Sequence, residues 1–593
     1  MASSGKNKEL RKTSQFLIPV SKETLPEGKY DIYPSLKIGD NQIFAGFESL
    51  AEKIKVQNQV IIDGFNGVFF ELFQSRIDAI LRNQGLKVNW IKTSDFFRPE
   101  EQIREITAPF LAGNDPLFGK RTSLNLEDFF IPGKLKSVHP DNDFNINIII
   151  GPGASLTSWE GLLTYIDIPK NEIQFRSRAG SVSNIGLSAP SDPKEMYKQS
   201  YFIDWVVLNK HKQQILSSVD VYVDGQRPEM PVWMEGDTLK ESLYVMSRNC
   251  FRTRPWFEPG AWGGTWIRDN IAGLNPEVPN YAWSFELITP ENGLLIESSS
   301  LLSEVSFDCL MYLQAEAVLG DCYSKFGTYF PMRFDFLDTF DGGNLSLQCH
   351  PRPQYIKENF GEKITQEETY YILDTKDNAG VYLGFCQNID PGNFRKALED
   401  SFSKGKPFNP DSFVLRHNVK KHDLLLIPYG TIHGSGKNNL VLEISTTPYI
   451  FTFKLYDWQR PDLNGKPRPL NIERGMTNLF FDRKGDYVEA NLISKPVLID
   501  EGKDWQLFRL PTHQTHSYNI QRYHFNSVID IATDNKCLVM SLTEGKTIDV
   551  ETRNGNKNLF SYAETFVIPA AAESVRITNK SAKEAILVKA FIK

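Results

Sequence analysis

Cysteine and histidine are scarce in this chain, with six and nine among 593 residues. Cys250, Cys309, Cys322, Cys349, Cys386 and Cys537 are scattered and form no CxxC pair. That density excludes a disulfide scaffold and predicts reduced thiols in a reducing, cytoplasmic compartment. No apolar run approaches the ~18 residues of a membrane span. The opening stretch, Met1-Ala2-Ser3-Ser4-Gly5-Lys6-Asn7-Lys8, is polar, and no apolar segment of a secretory signal follows it. A basic excess is missing as well: the net charge is −7, which leaves no global footprint for nucleic acid. No short-period repeat is visible.

Aromatic residues, by contrast, make up 12% of the chain, with 40 Phe and 22 Tyr, a share that favours β-rich cores. At this length several cores are required. Residues 1–50 read as an extension, basic at first, then extended, then helical. Residues 51–230 read as α/β. Val60-Ile61-Ile62-Asp63-Gly64 and Asn147-Ile148-Ile149-Ile150 have the short apolar form of buried parallel strands, and the run 201–208 is a third candidate. Phe69, Leu72, Phe73, Ile77, Ile80 and Leu81 recur at helical spacing over about 68–83. Strands alternating with helices predict a wound, largely parallel sheet. From 231 onward the pattern is mainly β, with a helical insertion near 392–404 in a first β domain (231–490) and a second β domain over 491–593. Two strands that run into Ile-Pro, at Ile427-Pro428 and Ile568-Pro569, suit a pair of related barrels.

The chemistry concentrates at 345–351, Leu-Ser-Leu-Gln-Cys-His-Pro. Alternate residues of a strand share a face, so Ser346, Gln348 and His350 point the same way. An imidazole beside an amide oxygen is half of a borderline-hard metal site, and Glu368 and His433 are candidates for the other half. Gly430 allows the tight turn that would present His433 inward.

These residues resemble type I phosphomannose isomerase, a zinc-dependent cupin enzyme. Its Leu-Ser-x-Gln-x-His-Pro strand is matched at 345–351, its Glu before an aromatic-rich strand at Glu368, and its Pro-x-Gly-Thr-x-His turn at 428–433. The Leu-Glu-Ile strand that follows falls at 442–444, a Trp-Gly-Gly entry motif at 262–264, and an Arg-x-Tyr-Asp segment at 454–457. The resemblance implies cupin barrels and one zinc per chain held by Gln348, His350, Glu368 and His433. It implies interconversion of mannose 6-phosphate and fructose 6-phosphate, a small sugar phosphate being the partner. Glu443 and Lys454 are then candidates for catalysis, and Ser346, Arg333 and Arg460 for substrate binding. Three positions depart from the pattern: Gln366 and Asp335 stand where the family carries Lys, and Lys454 where it carries Arg. Since Lys does not reproduce bidentate Arg binding, these departures reduce positive charge at the expected phosphate site. They keep open a different sugar or sugar phosphate, and a non-catalytic sugar-sensing cupin.

Residues 51–230 resemble a P-loop kinase domain in cadence, but the phosphate loop is degenerate. The first strand is followed by Gly64-Phe65-Asn66-Gly67, with no Gly-Lys-Ser/Thr, and Gly119-Lys120 lies far away. A domain used for assembly or regulation is expected there, without nucleotide chemistry. Thr512-His513-Gln514-Thr515-His516 reads as a polar loop.

Overall fold

The structure, a computed structural model, describes residues 9–593 apart from 114, 449–450, 463–464 and 466–467. It is multi-domain and strand-rich: an α/β layer is followed by two antiparallel β sandwiches.

Five parallel strands form the middle of the α/β sheet: β1 (Gln59–Gly64), β2 (Val88–Lys92), β3 (Ile146–Ile150), β4 (Leu162–Asp167) and β5 (Val221–Asp224). Their spatial order is β2-β3-β1-β4-β5. Val232–Glu235 pairs antiparallel with β5, and Ile43–Ala45 pairs with that strand, so the sheet reaches beyond 51–230 on both sides. The central strands β1, β3 and β4 are buried almost throughout, which accounts for their unbroken apolar runs. Helix α1 (Phe70–Asn83) buries Phe73, Ile77 and Leu81 against the outer face. Helices α2 (Lys170–Ala179), α3 (Pro193–Gln199) and α4 (Trp205–Ile215) follow later in the chain.

The segment 201–208, expected as a strand, is helical. A π-turn over Ser200–Asp204 runs straight into α4. Every residue from Tyr201 to Leu208 is buried, and a run buried on all sides carries no period by which strand and helix can be told apart. Its continuation to Ile215 gives it helix length.

The first sandwich packs a seven-stranded sheet on a five-stranded one. Strands β6 (Met332–Asp338), β8 (Glu367–Thr375), β9 (Leu424–Ile427) and β11 (Asn439–Thr446) belong to the larger sheet. The smaller contains β7 (Leu347–Cys349), β10 (His433–Ser435) and β12 (Phe453–Tyr456). The helical insertion, α5 (Pro391–Lys404), buries Phe394 and Leu398, whereas Phe402 faces solvent. The second sandwich combines six- and four-stranded sheets. The strands Leu424–Ile427 and Thr565–Ile568 each end at an Ile before Pro, but the first lies inside its sheet and the second at a sheet edge.

The layers share one apolar core. Phe451 is fully buried, with Phe118, Tyr201 and Phe202 of the α/β layer and Phe360 of the sandwich around it at ring-centre distances of 4.9 to 6.2 Å. Phe251 and Val567 exchange backbone hydrogen bonds, and the buried Arg252 guanidinium reaches both Glu286 and Glu564, tying the second sandwich to the first.

Candidate metal centre and its cavity

His350, Glu368 and His433 are buried and converge, one ligand atom from each lying within 4.8 Å of the others. Strand pairing accounts for this. Gln348 of β7 sits opposite His433 of β10, and Glu368 lies in the facing sheet opposite Ser445 of β11. The turn before β10 is fixed by Gly430, at φ +73°, whose N–H donates to the carbonyl of His350. A side chain there would collide with the Asn478 carbonyl and the Phe480 ring.

The donor geometry identifies what the cluster needs. His350 Nδ1 lies 3.0 Å from the Phe451 carbonyl, and His433 Nδ1 lies 3.0 Å from that of Thr431. A carbonyl accepts only, so each Nδ1 carries the proton and each neutral Nε2 presents a lone pair. Those two lone pairs meet Glu368 Oε2 at 2.5 and 3.5 Å. Glu368 Oε1, also buried, has no hydrogen-bond partner. Two imidazole lone pairs and a carboxylate facing one another call for a cation between them, and N/O donors of this kind suit zinc or a similar divalent ion. Burial raises the Glu368 carboxyl, but positive charge at the two imidazole positions, carried by protons when no cation is bound, outweighs it and holds the group well below the ordinary range. Burial pulls His350 down against the attraction of Glu368.

Gln348 turns its amide nitrogen to His433 Nε2 at 3.3 Å, and its oxygen accepts from Ser346 at 3.0 Å. Rotation of the amide exchanges the two atoms, and the Ser346 hydroxyl can pair with either, so the oxygen can turn to a cation.

Beside the cluster opens a cavity of about 510 Å³. Arg333, Ser346, Gln348, Gln366, Glu443 and Lys454 all line it. Glu443 lies opposite Asp335 in the β6–β11 pair and accepts from Gln366 at 3.3 Å. Burial, then the charges of Asp335 and Glu368, push its carboxyl well up. Arg333 grips Asp335 through two bonds of 3.0 and 3.1 Å and reaches Glu443 at 3.9 Å. Burial, then the neighbouring Arg468, bring the Lys454 ammonium down to about 8. Arg460, expected at the substrate, is not on the cavity wall. Trp458 and Gln459 reverse the chain at φ +57° and +54°, and the Arg460 guanidinium is taken by Asp457 and the Asn344 carbonyl.

Several wall residues were not foreseen from the sequence. Arg468 is one, and the α/β layer supplies Arg178, Lys194, Tyr197 and Trp205. No local motif marks them, because they meet the site only through packing between layers. The segment 512–516 is a loop between the strands Trp505–Leu510 and Tyr518–Phe525, but His513 and His516 are buried in it, and the His516 ring stacks on Tyr518 at 5.2 Å.

In the α/β layer, Asp63 accepts from the N–H groups of Gly64, Gly153 and Ser155 and from the Ser155 hydroxyl. His211 Nε2 contacts both Asp63, at 2.8 Å, and Ser155, at 3.1 Å. A nucleophile relay places acid and hydroxyl on opposite imidazole nitrogens, so this trio is a structural anchor.

Residues 46–248 match a family model described as a domain of unknown function, DUF8485. YvyI and GmuF of Bacillus subtilis (strain 168), both named provisionally as mannose-6-phosphate isomerases, are 24% identical over 292 residues and 31% identical over 223. The first match covers 49% of this chain and 84% of YvyI; the second covers 37% and 65% of GmuF. The mannose-6-phosphate isomerase ManA of the same organism is 25% identical over 38% of this chain and 65% of its own. This chain therefore spans just under two thirds of GmuF and ManA. Among solved structures, the mannose 6-phosphate isomerase of Bacillus subtilis aligns with a TM-score of 0.45 at 20% identity, over 57% of this chain and 99% of that one. A phosphomannose isomerase from Salmonella typhimurium aligns at 0.46 and 12%, over 58% and 99%. Over about half its length, then, the chain is similar in sequence to mannose-6-phosphate isomerases, and over residues 46–248 to a domain without an assigned role.

Proposed function

We propose that this chain is a metal-dependent aldose–ketose isomerase of the cupin class, with one zinc per chain and a phosphorylated sugar as substrate. Mannose 6-phosphate and fructose 6-phosphate are the pair favoured by the named relatives. The observation that carries the reading is the His350–Glu368–His433 convergence beside a cavity of sugar-phosphate size.

Gln348, His350, Glu368 and His433 would hold the ion. Bound there, it supplies positive charge against which negative charge developing on the sugar oxygens is stabilised. Glu443 is the group we assign to move the proton between C2 and C1: burial favours its acid form, which returns the proton, and positive charge bound at the cluster would favour the carboxylate that takes it. Gln366 holds it by hydrogen bond, and Arg333 stands near enough to steady its charge. Ser346 and Arg333 bind substrate from the cavity wall, and Lys454, a candidate for catalysis by sequence, brings its ammonium to the substrate's charged end. A different sugar phosphate is the second reading. It is favoured by Asp335, which consumes the Arg333 guanidinium, and by Gln366, which brings no charge.

The α/β layer we read as a degenerate P-loop kinase-like domain without nucleotide chemistry. The β2-β3-β1-β4-β5 order supports the likeness. The Gly64-Phe65-Asn66-Gly67 loop after β1, which has no lysine, supports the degeneracy.

Metal analysis paired with a coupled isomerase assay tests the main reading. One zinc per chain is expected, with activity lost on chelation and recovered on adding zinc. A fully loaded protein that turns over neither mannose 6-phosphate nor any of a panel of sugar phosphates would sink it.

A further inference from the structure

The charges lining the cavity do not balance. Arg178 is paired with Glu258 at 2.9 Å, Arg333 with Asp335 and Arg468 with Asp457 at 2.6 Å. Of the cavity carboxylates, Glu258 is matched by Arg178, and Glu443 is held by Gln366. Two cations are left on the wall, Lys194 and Lys454: neither ammonium makes a hydrogen bond or close ion pair among the described residues, and Asp457, already paired with Arg468, acts on Lys454 only through its charge. They come from different layers. Lys194 is in the first turn of α3, exposed at the cavity's edge, whereas Lys454 is on β12, opposite Gln348. Yet they are near enough for the charge of Lys194 to act on Lys454.

Two unpaired ammonium groups converging on one cavity repel each other unless an anion joins them. We propose that the α/β layer completes the substrate site, with Lys194 and Lys454 forming a two-layer clamp on the phosphate of a phosphorylated sugar. This rests on the sugar-phosphate reading above and deepens it. The sugar's reacting carbons lie toward Glu443 and the metal cluster, and its phosphate lies toward the seam between layers. The clamp also accounts for the departures at Gln366 and Asp335. Positive charge missing from the wall near the cluster is restored from a domain that a lone cupin barrel lacks. Specificity for the phosphate then belongs to the layer covered by the domain of unknown function.

Calorimetric titration of the full-length, zinc-loaded protein with mannose 6-phosphate and with mannose tests this without requiring turnover. Lys194→Ala is expected to weaken mannose 6-phosphate binding by roughly 10-fold or more, as loss of a charge-assisted contact should. Mannose binding should change little, and Lys194→Arg should restore most of the loss. Inorganic phosphate, used as a competitor, should displace mannose 6-phosphate less effectively from Lys194→Ala than from the parent chain. Equal binding of the phosphorylated ligand by parent and variant overturns the clamp. So does an equal loss for mannose and its phosphate, which marks a structural role. A chain that binds mannose 6-phosphate through Lys194 but does not isomerise it leaves the clamp standing while the isomerase reading fails. A chain that isomerises sugars but binds none of these phosphates does the reverse.

Discussion

Each imidazole in the cluster has one nitrogen committed to a carbonyl, which leaves the other no freedom but to present its lone pair inward. Removing one imidazole therefore removes a ligand without loosening the other. His433→Ala is expected to abolish stoichiometric zinc by elemental analysis and to lower kcat at least 100-fold. Retention of both metal and turnover would contradict the ligand assignment. A second residue sets a pH dependence far from the cluster. Burial drives the Asp204 carboxyl up to about 7, against hydrogen bonds from Asn184 and the Ile185 N–H. The folded chain thus keeps a proton that the unfolded chain has already released. That contribution to stability is present below about pH 4 and is lost as pH rises through about 7. Asp204→Asn should gain on the parent by up to about 1.4 kcal/mol per pH unit between about pH 5 and 7, read from urea unfolding at several pH values. A constant difference across that window contradicts the assignment. At this scale the sequence was informative where one strand set the geometry. Ser346, Gln348 and His350 share a face because alternation is local. Arg460 was misplaced because two positive-φ residues, invisible in the spacing, turn it away.

Among the elements, β10 owes its placement to one turn. Gly430→Ala would drive a methyl group toward the Asn478 carbonyl at a backbone angle that alanine rarely adopts. Its expected cost is about 1–3 kcal/mol in stability, with zinc affinity weakened by more than in an exposed control such as Gly405→Ala. A melting curve and a competitive chelator titration read both effects, and an unchanged zinc affinity would free His433 from dependence on that turn. The helices α1 and α5 were legible from their apolar period, and β1 and β3 from short apolar runs of strand length that end in a glycine turn. The stretch 201–208 was not, since burial on every side erased its period. A helix that threads the seam between two layers is apolar all round, as a central strand is.

At the scale of the whole molecule, the layers are not separable cores. The rings of Phe118, Tyr201 and Phe202 surround Phe451, whose carbonyl also anchors His350. Aromatic contacts of this kind add about 0.5–1.5 kcal/mol each beyond the area they bury. Scanning calorimetry should show the α/β layer and first sandwich unfolding in one transition, and a fragment of residues 231–593 should melt lower or aggregate. Two well-resolved transitions in the full chain would contradict this coupling. None of it was legible beforehand. A seam between layers is written in contacts between residues far apart in sequence, and neither periodicity nor spacing records those. For the same reason the convergence of His350, Glu368 and His433 could be expected from their motifs, but Lys194 and Arg468 on the cavity wall could not.

Asp63 has a consequence of another kind. A glycine turn that could cradle an anion, such as Gly151-Pro152-Gly153 after β3, ordinarily takes its shape from the ligand that arrives. Here the carboxylate of β1 satisfies the turn after β3 from within, with His211 and Ser155 locked around it. That turn therefore holds its shape without a bound anion. For the proposed clamp, a turn braced in this way would help to keep α3, and the lysine it carries, at a fixed distance from the first sandwich while substrate binds.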